Sequence, residues 1–191
     1  MPGLTLGIGE TNPKRGAVQY DTRRLDGVPF VIPTGAGITS APIGSVVTLQ
    51  ECTGIGQRIV LGPNAYTDDA ENTYTIKGWG FLEAATQADG SVDQTVGEYS
   101  SGDMACMIMD INVVVMAPML SGSNPGITDT VYVSVDGKLT STAYENVIFP
   151  GVIFLATPGV QQGNQLKSGY CFARLAPVEL SVALLAAAAE A

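Results

Sequence analysis

Histidine is absent from this chain of 191 residues. That removes the side chain that most often serves as a general base near neutral pH, and with it every imidazole metal ligand. Ser–His–Asp and Cys–His constellations cannot form within one such chain. Charge is scarce as well: 14% of residues are Asp, Glu, Lys or Arg, against about 25% in an average soluble domain. Cations are the scarcer sign, nine against eighteen acids, and the net charge is −9 with a pI near 4.2. With no basic patch to meet phosphates, nucleic acid is not an expected partner. The three cysteines, Cys52, Cys106 and Cys171, are odd in number and far apart. They make neither a disulfide framework nor a zinc-ligand spacing. Set in apolar runs such as "MACMIM" and "GYCFARL", they read as free core thiols in a reducing compartment. Residues 1–20 lack the apolar stretch of a secretory signal, and the apolar C-terminal run is too short to span a bilayer, so no membrane is expected as a partner.

Glycine, at 23 residues, and proline, at 11, are what the chain has in quantity, beside an ordinary apolar content of 46%. Low charge with normal apolarity fits a surface that touches other protein; a surface of Ser, Thr, Asn and Gln is the alternative. Residues 1–45 carry Gly or Pro every few positions and no long periodic segment, which predicts an extended N-terminal arm. Ordering it costs on the order of 1–2 kcal/mol per residue, so a neighbouring subunit has to supply contacts. Residues 1–27 hold four cations against three acids, whereas the remainder holds five against fifteen, so the two regions are expected to meet different partners. The candidate contacts in the arm are Leu4, Leu6, Ile8 and Phe30, with the cations Lys14, Arg15, Arg23 and Arg24.

Residues 46–177 predict an all-β domain, a small barrel or sandwich of short strands. "VVTLQEC", "QRIVLGP", "NTYTIKGWGFLEAAT", "DMACMIMD", "INVVVMA", "GVIFLATPG" and "GYCFARL" are short apolar or alternating runs divided by glycine turns. In "TDTVYVSVDGKLTST", Val131, Val133 and Val135 alternate with polar residues, and Asp136-Gly137 is a favoured pair for a two-residue hairpin. Between Met104 and Met119 the odd positions are wholly apolar, while Asp110 and Asn112 interrupt the even ones. Residues 178–191, "VELSVALLAAAAEA", predict a short C-terminal helical tail by propensity, marginal unless it docks.

Little converges on chemistry. "YTDDAENTY" and "ADGSVDQ" read as acidic surface turns; the second holds a fragment of a calcium loop without its distal Glu. "GIGQRIVLG" lacks the Gly-Lys-Ser/Thr of a phosphate loop and reads as a glycine bend entering a strand. Trp79, between glycines, is either a sugar-stacking platform or, more simply, a packed aromatic. No cofactor is expected.

The order of features over residues 99–177 is more specific. "YSSGDMACMIMDINVVVMAP" is followed by "ITDTVYVSVDGKLTS", "FPGVIFLATPGVQQGNQL" and "GYCFARLAP". This series resembles the structural cement, or decoration, proteins of tailed-bacteriophage heads. In that family a Gly-Asp opens a strand, a Val-Tyr-Val strand with a glycine turn follows, and a segment ending in glycine leads to a closing strand. Gly102-Asp103, Val131-Tyr132-Val133, Gly137, Gly163 and Phe172 through Leu175 occupy those places. "MIMDIN" stands where family members often carry a basic cluster, so that capsid contact does not transfer, and the arm lies outside the likeness. The resemblance implies a non-catalytic virion protein on the capsid exterior that bridges subunits of the major capsid protein. It also implies a homo-oligomer, a trimer before a dimer. The alternatives are a tail or baseplate component, a carbohydrate-binding β module resting on Trp79 and the acidic turns, and a carboxylate enzyme.

Overall fold

The computed structural model describes residues 24–83, 97–109, 113–149, 151–156 and 169–175. The elements within them are all strands: β1 (Arg24–Val31), β2 (Ser40–Pro42), β3 (Val46–Cys52), β4 (Gly56–Leu61), β5 (Thr75–Glu83), β6 (Glu98–Ser100), β7 (Met104–Ile108), β8 (Val114–Pro118), β9 (Tyr132–Val133), β10 (Leu139–Thr140), β11 (Val147–Ile148), β12 (Val152–Ala156) and β13 (Tyr170–Leu175). Five close a barrel in the order β1-β4-β3-β5-β7. Two three-stranded sheets, β12-β13-β8 and β10-β9-β11, and a β2-β6 pair complete the described fold. The all-β expectation is thus met, with a closed barrel. The C-terminal tail lies outside the described residues.

Alternation along the barrel strands explains why their sequences are apolar on both faces. On β3, Val47 and Leu49 point into the barrel with Ile59, Leu61, Leu82, Ala105 and Met107. Val46, one residue away, points outward and joins Phe81 and Ile108 in a second core, against Val131, Val133, Leu139, Phe149, Phe154 and Cys171. A strand buried on both faces cannot show an apolar/polar period of two. The same holds for β7, where Ala105 and Met107 face the barrel while Cys106 and Ile108 are buried on the other side. Polar residues are buried in this wall too, Thr48 and Gln50 on β3 and Glu83 on β5. Gln50, fully buried, donates from Nε2 to Thr48 Oγ1 and the Asn64 carbonyl, both at 2.8 Å, and accepts from Tyr66 N–H at 2.9 Å. Both ends of its amide are satisfied, so its burial costs little and the 62–66 loop is tied to the barrel.

The expected arm boundary at residue 45 falls inside the fold. β1 closes the barrel: it pairs antiparallel with β7 through Leu25↔Met107 and Val28↔Ala105, then parallel with β4 through Phe30↔Ile59 and Val31↔Val60. Gly27, at φ +68°, lies in the register shift between Leu25 and Val28, an irregularity within the β1–β7 pairing. Phe30, expected to anchor the arm on a capsid, is instead fully buried inside the barrel, its ring 6.1 Å from that of Tyr99. Burying such a ring is worth about 1.5–3 kcal/mol, which is the physical reason for the correction: Phe30 belongs to the core.

The hairpin also differs from expectation. Val133 pairs with Leu139 and Tyr132 with Thr140, leaving residues 134–138 between the strands. Gly137 N–H donates to the Ser134 carbonyl, and Ser134 N–H to the Lys138 carbonyl. Val135 and Asp136 are therefore the central turn residues, and Gly137, at φ +73°, is the left-handed residue that follows. The Gly137 carbonyl accepts from Val46 N–H at 2.8 Å, so the turn is bolted to β3.

None of the three cysteines forms a disulfide, as expected: Cys106 and Cys171 are buried and Cys52 is half-buried. Burial pushes the Cys171 thiol up to about 12, and its Sγ–H points at the Ala117 carbonyl, 3.7 Å away. A thiol-specific reagent at pH 8 is expected to label Cys52 in the native protein and all three cysteines in denaturant. Native labelling of Cys171 at the rate of Cys52 would contradict the packing of β13.

Candidate interaction surface

Of the sequence-derived contact residues, Leu4, Leu6, Ile8, Lys14, Arg15 and Arg23 lie outside the described residues. Arg24 opens β1, its backbone paired opposite Ile108. Phe30 is core. Exposed apolar groups among the described residues lie elsewhere.

The most exposed large apolar side chain among the described residues is Tyr144, at 75%. It sits in a turn over residues 143–146 in which Asn146 N–H donates to the Ala143 carbonyl. The Asn146 side chain donates to the carbonyls of Thr142 at 2.9 Å and Tyr144 at 2.7 Å. Glu145 is held at φ +55°, a conformation that costs an L-residue about 1–2 kcal/mol. Backbone held in this region is often found at functional sites. Directly after the turn, Val147 and Ile148 form β11, the edge of the β10-β9-β11 sheet, and both are exposed. Phe149 then turns inward, its ring 5.2 Å from Trp79 and 5.7 Å from Phe81. A rigid turn thus presents a tyrosine beside an open strand edge, anchored by a buried phenylalanine. A tyrosine on a rigid backbone makes a large contact at low entropic cost, and an open edge offers unpaired backbone groups to an incoming chain.

Other features singled out in the sequence serve the fold. Trp79 packs on the second core, which is the simpler of its two readings. Gly54 and Gly56 take φ +83° and +119° at the β3–β4 turn, the expected glycine bend. Asp68 Oδ1 accepts from the N–H groups of Ala70 and Asn72 and from the Asn72 side chain. Those bonds, the Asn72 N–H first, hold its carboxyl below the usual aspartate value. Any order this lends the turn is present above the unfolded-state value and is lost as pH falls through the lowered one. Asp89 and Asp93 lie outside the described residues. Among the described residues no cluster of three Cys, Asp or Glu is placed to hold a metal, and no helix is long and apolar enough to cross a membrane.

Described cations are largely committed internally. Lys138 Nζ lies 2.6 Å from Asp136 Oδ2, Lys77 Nζ lies 3.6 Å from Glu51, and the Arg58 guanidinium sits 5.9 Å from the Tyr74 ring centroid. Among the described residues the cations therefore form no basic patch.

An all-β protein with apolar anchors on rigid turns is the class that fold and surface define. No protein-family model matches the chain, and no curated protein matches it. Among solved structures it is similar to a chain of "The capsid of Myoviridae Phage XM1", with 15% identity over 82% of this chain and 84% of that one, at a TM-score of 0.46.

Proposed function

We propose that this chain is a non-catalytic structural protein of a bacteriophage virion, one that decorates the capsid exterior and cements it by bridging subunits of the major capsid protein. The observation that carries the reading is the ordered series over residues 99–177 that resembles the cement proteins. Its Gly-Asp directly precedes β7, its Val-Tyr-Val supplies β9, its turn glycine is the left-handed Gly137, and its closing segment is β13. Tyr144, Val147 and Ile148 are the described residues best suited to seat on a neighbouring subunit. Leu4, Leu6, Ile8, Lys14, Arg15 and Arg23, with Arg24 at the start of β1, are the candidate contacts of the arm. A cement protein needs modest affinity per copy, since a shell presents its sites many times over. A trimer on a local symmetry axis suits such a lattice.

Because β1 begins at Arg24, the arm is to be removed at residue 22 and not beyond. Deletion of residues 1–22 is expected to leave the far-UV spectrum and melting temperature of the barrel unchanged while weakening binding to undecorated capsids. Tyr144→Ala is expected to change stability by no more than about 0.5 kcal/mol, as for an exposed side chain, and also to weaken binding. Co-sedimentation with capsids reads both. Unchanged decoration by the deletion and by Tyr144→Ala alike would overturn the proposal.

A further inference from the structure

The β12-β13-β8 sheet buries one face only. Along β13, Cys171, Ala173 and Leu175 are buried in the second core, while Phe172 and Arg174 face the other way and are half-buried. The register sets Phe172 beside Met116, and Arg174 between Val114 and Ile153. Val114 and Met116 are exposed. The outer face is thus a row of apolar side chains with a single guanidinium at its centre. Arg174 Nε is itself shielded from water and has no hydrogen-bond partner among the described residues. A buried N–H without an acceptor is destabilising, so an occupant carrying an acceptor is favoured over a purely apolar one.

A second copy packed face to face about a two-fold axis passing close to Arg174 would set that guanidinium against its own counterpart, which is unfavourable. The segment that follows β13 has the complementary character. Residues 178–191 contain two ionisable side chains, Glu179 and Glu190, both acids, among Val, Leu and Ala. Only Ala176 and Pro177 separate them from Leu175, the last residue of β13. Proline cannot donate to a continuing ladder, and it is well suited to the first turn of a helix. A helix of that segment spans about 21 Å at 1.5 Å per residue, close to the ~17 Å of a five-residue strand such as β8 or β12. So short a helix is marginal alone and gains stability mainly by packing an apolar side.

We infer that the outer face of the β12-β13-β8 sheet is the docking site of the chain's own residues 178–191, folded back as a helix whose Glu179 or the neighbouring backbone meets Arg174. The inference is independent of the virion role. It is tested in the full-length protein by placing the photoreactive residue p-benzoylphenylalanine at position 116 and, in a second variant, at position 172, followed by irradiation and peptide mass spectrometry. The expected product at both positions is an intramolecular link to a peptide within residues 178–191, with a yield independent of protein concentration. A link between two copies overturns the inference in favour of an exchanged segment. A link to any other part of the chain, or no link at either position, overturns it outright.

Discussion

Gly137→Ala is expected to destabilise the protein by about 2–5 kcal/mol, a large share of a typical domain's 5–15 kcal/mol. Two penalties add. At φ +73° an alanine pays on the order of 1–2 kcal/mol in backbone strain. Its Cβ would also lie 2.7 Å from both the Val46 carbonyl oxygen and Leu61 Cδ1, and overpacking of this kind typically costs about 1–3 kcal/mol. Gly54 is the internal control, since it has a similar φ of +83° with nothing within 4 Å of an added Cβ. Gly54→Ala should therefore show the strain alone. Urea unfolding of the two variants against the parent chain measures the difference. Equal losses would mean that the hairpin does not pack on β3 and β4, and that the Val46 N–H to Gly137 carbonyl bond does not fasten it there.

That contrast also shows what kind of element this hairpin is. Its alternating valines announced a half-buried strand, and Val131 and Val133 are indeed buried while Val135, in the turn, is exposed. The hairpin is a wall of the second core. What spacing could not reveal was the turn type, because Asp136-Gly137 serves a two-residue hairpin and a longer turn with a left-handed glycine equally well. The distinction depends on which backbone groups of β3 lie across from the turn.

Much of the barrel was legible for a simple reason: β3, β4 and β7 are short runs that begin or end beside glycine turns, at Gly44, Gly54, Gly62 and Gly102. β1 was not. "RLDGVPFV" contains Gly27 and Pro29, which read locally as breakers. β1 nevertheless stands between two barrel strands, antiparallel to β7 on one edge and parallel to β4 on the other, a place that exists only once the other four strands are assembled. Phe30 was misplaced for the same reason, since an aromatic in a Gly/Pro-rich stretch looks like an anchor awaiting a partner, and its partner is the barrel itself. Tyr144 shows the opposite failure. Nothing periodic surrounds it, and its presentation rests on an asparagine two residues later closing a turn. The local cue was a Tyr followed at two residues by Asn between two β runs, a pattern common to many turns.

Phe149→Ala carries the other large expected effect, a loss of about 3–5 kcal/mol, as for other buried aromatics truncated to alanine. Phe149 is 2% exposed, and its ring is flanked by those of Trp79 and Phe81 from the outer side of β5. Its N–H donates to the Val131 carbonyl at 3.0 Å, which fixes where β11 ends relative to the core. Truncation leaves a cavity against the only tryptophan of the chain, so the native-state emission of Trp79 should shift to the red along with the fall in the urea midpoint. The functional consequence is separable from the loss of stability. Tyr144, Val147 and Ile148 stand on the short stretch that Phe149 pins, so under the proposed virion role binding to capsids should weaken at temperatures where the variant remains folded. Phe149→Leu keeps most of the volume and should lose less of all three properties. A Phe149→Ala variant with unchanged Trp79 emission and an unchanged urea midpoint would show that this phenylalanine does not seal the second core. The exposed edge beside it would then lack the rigid support that makes Tyr144 a plausible anchor.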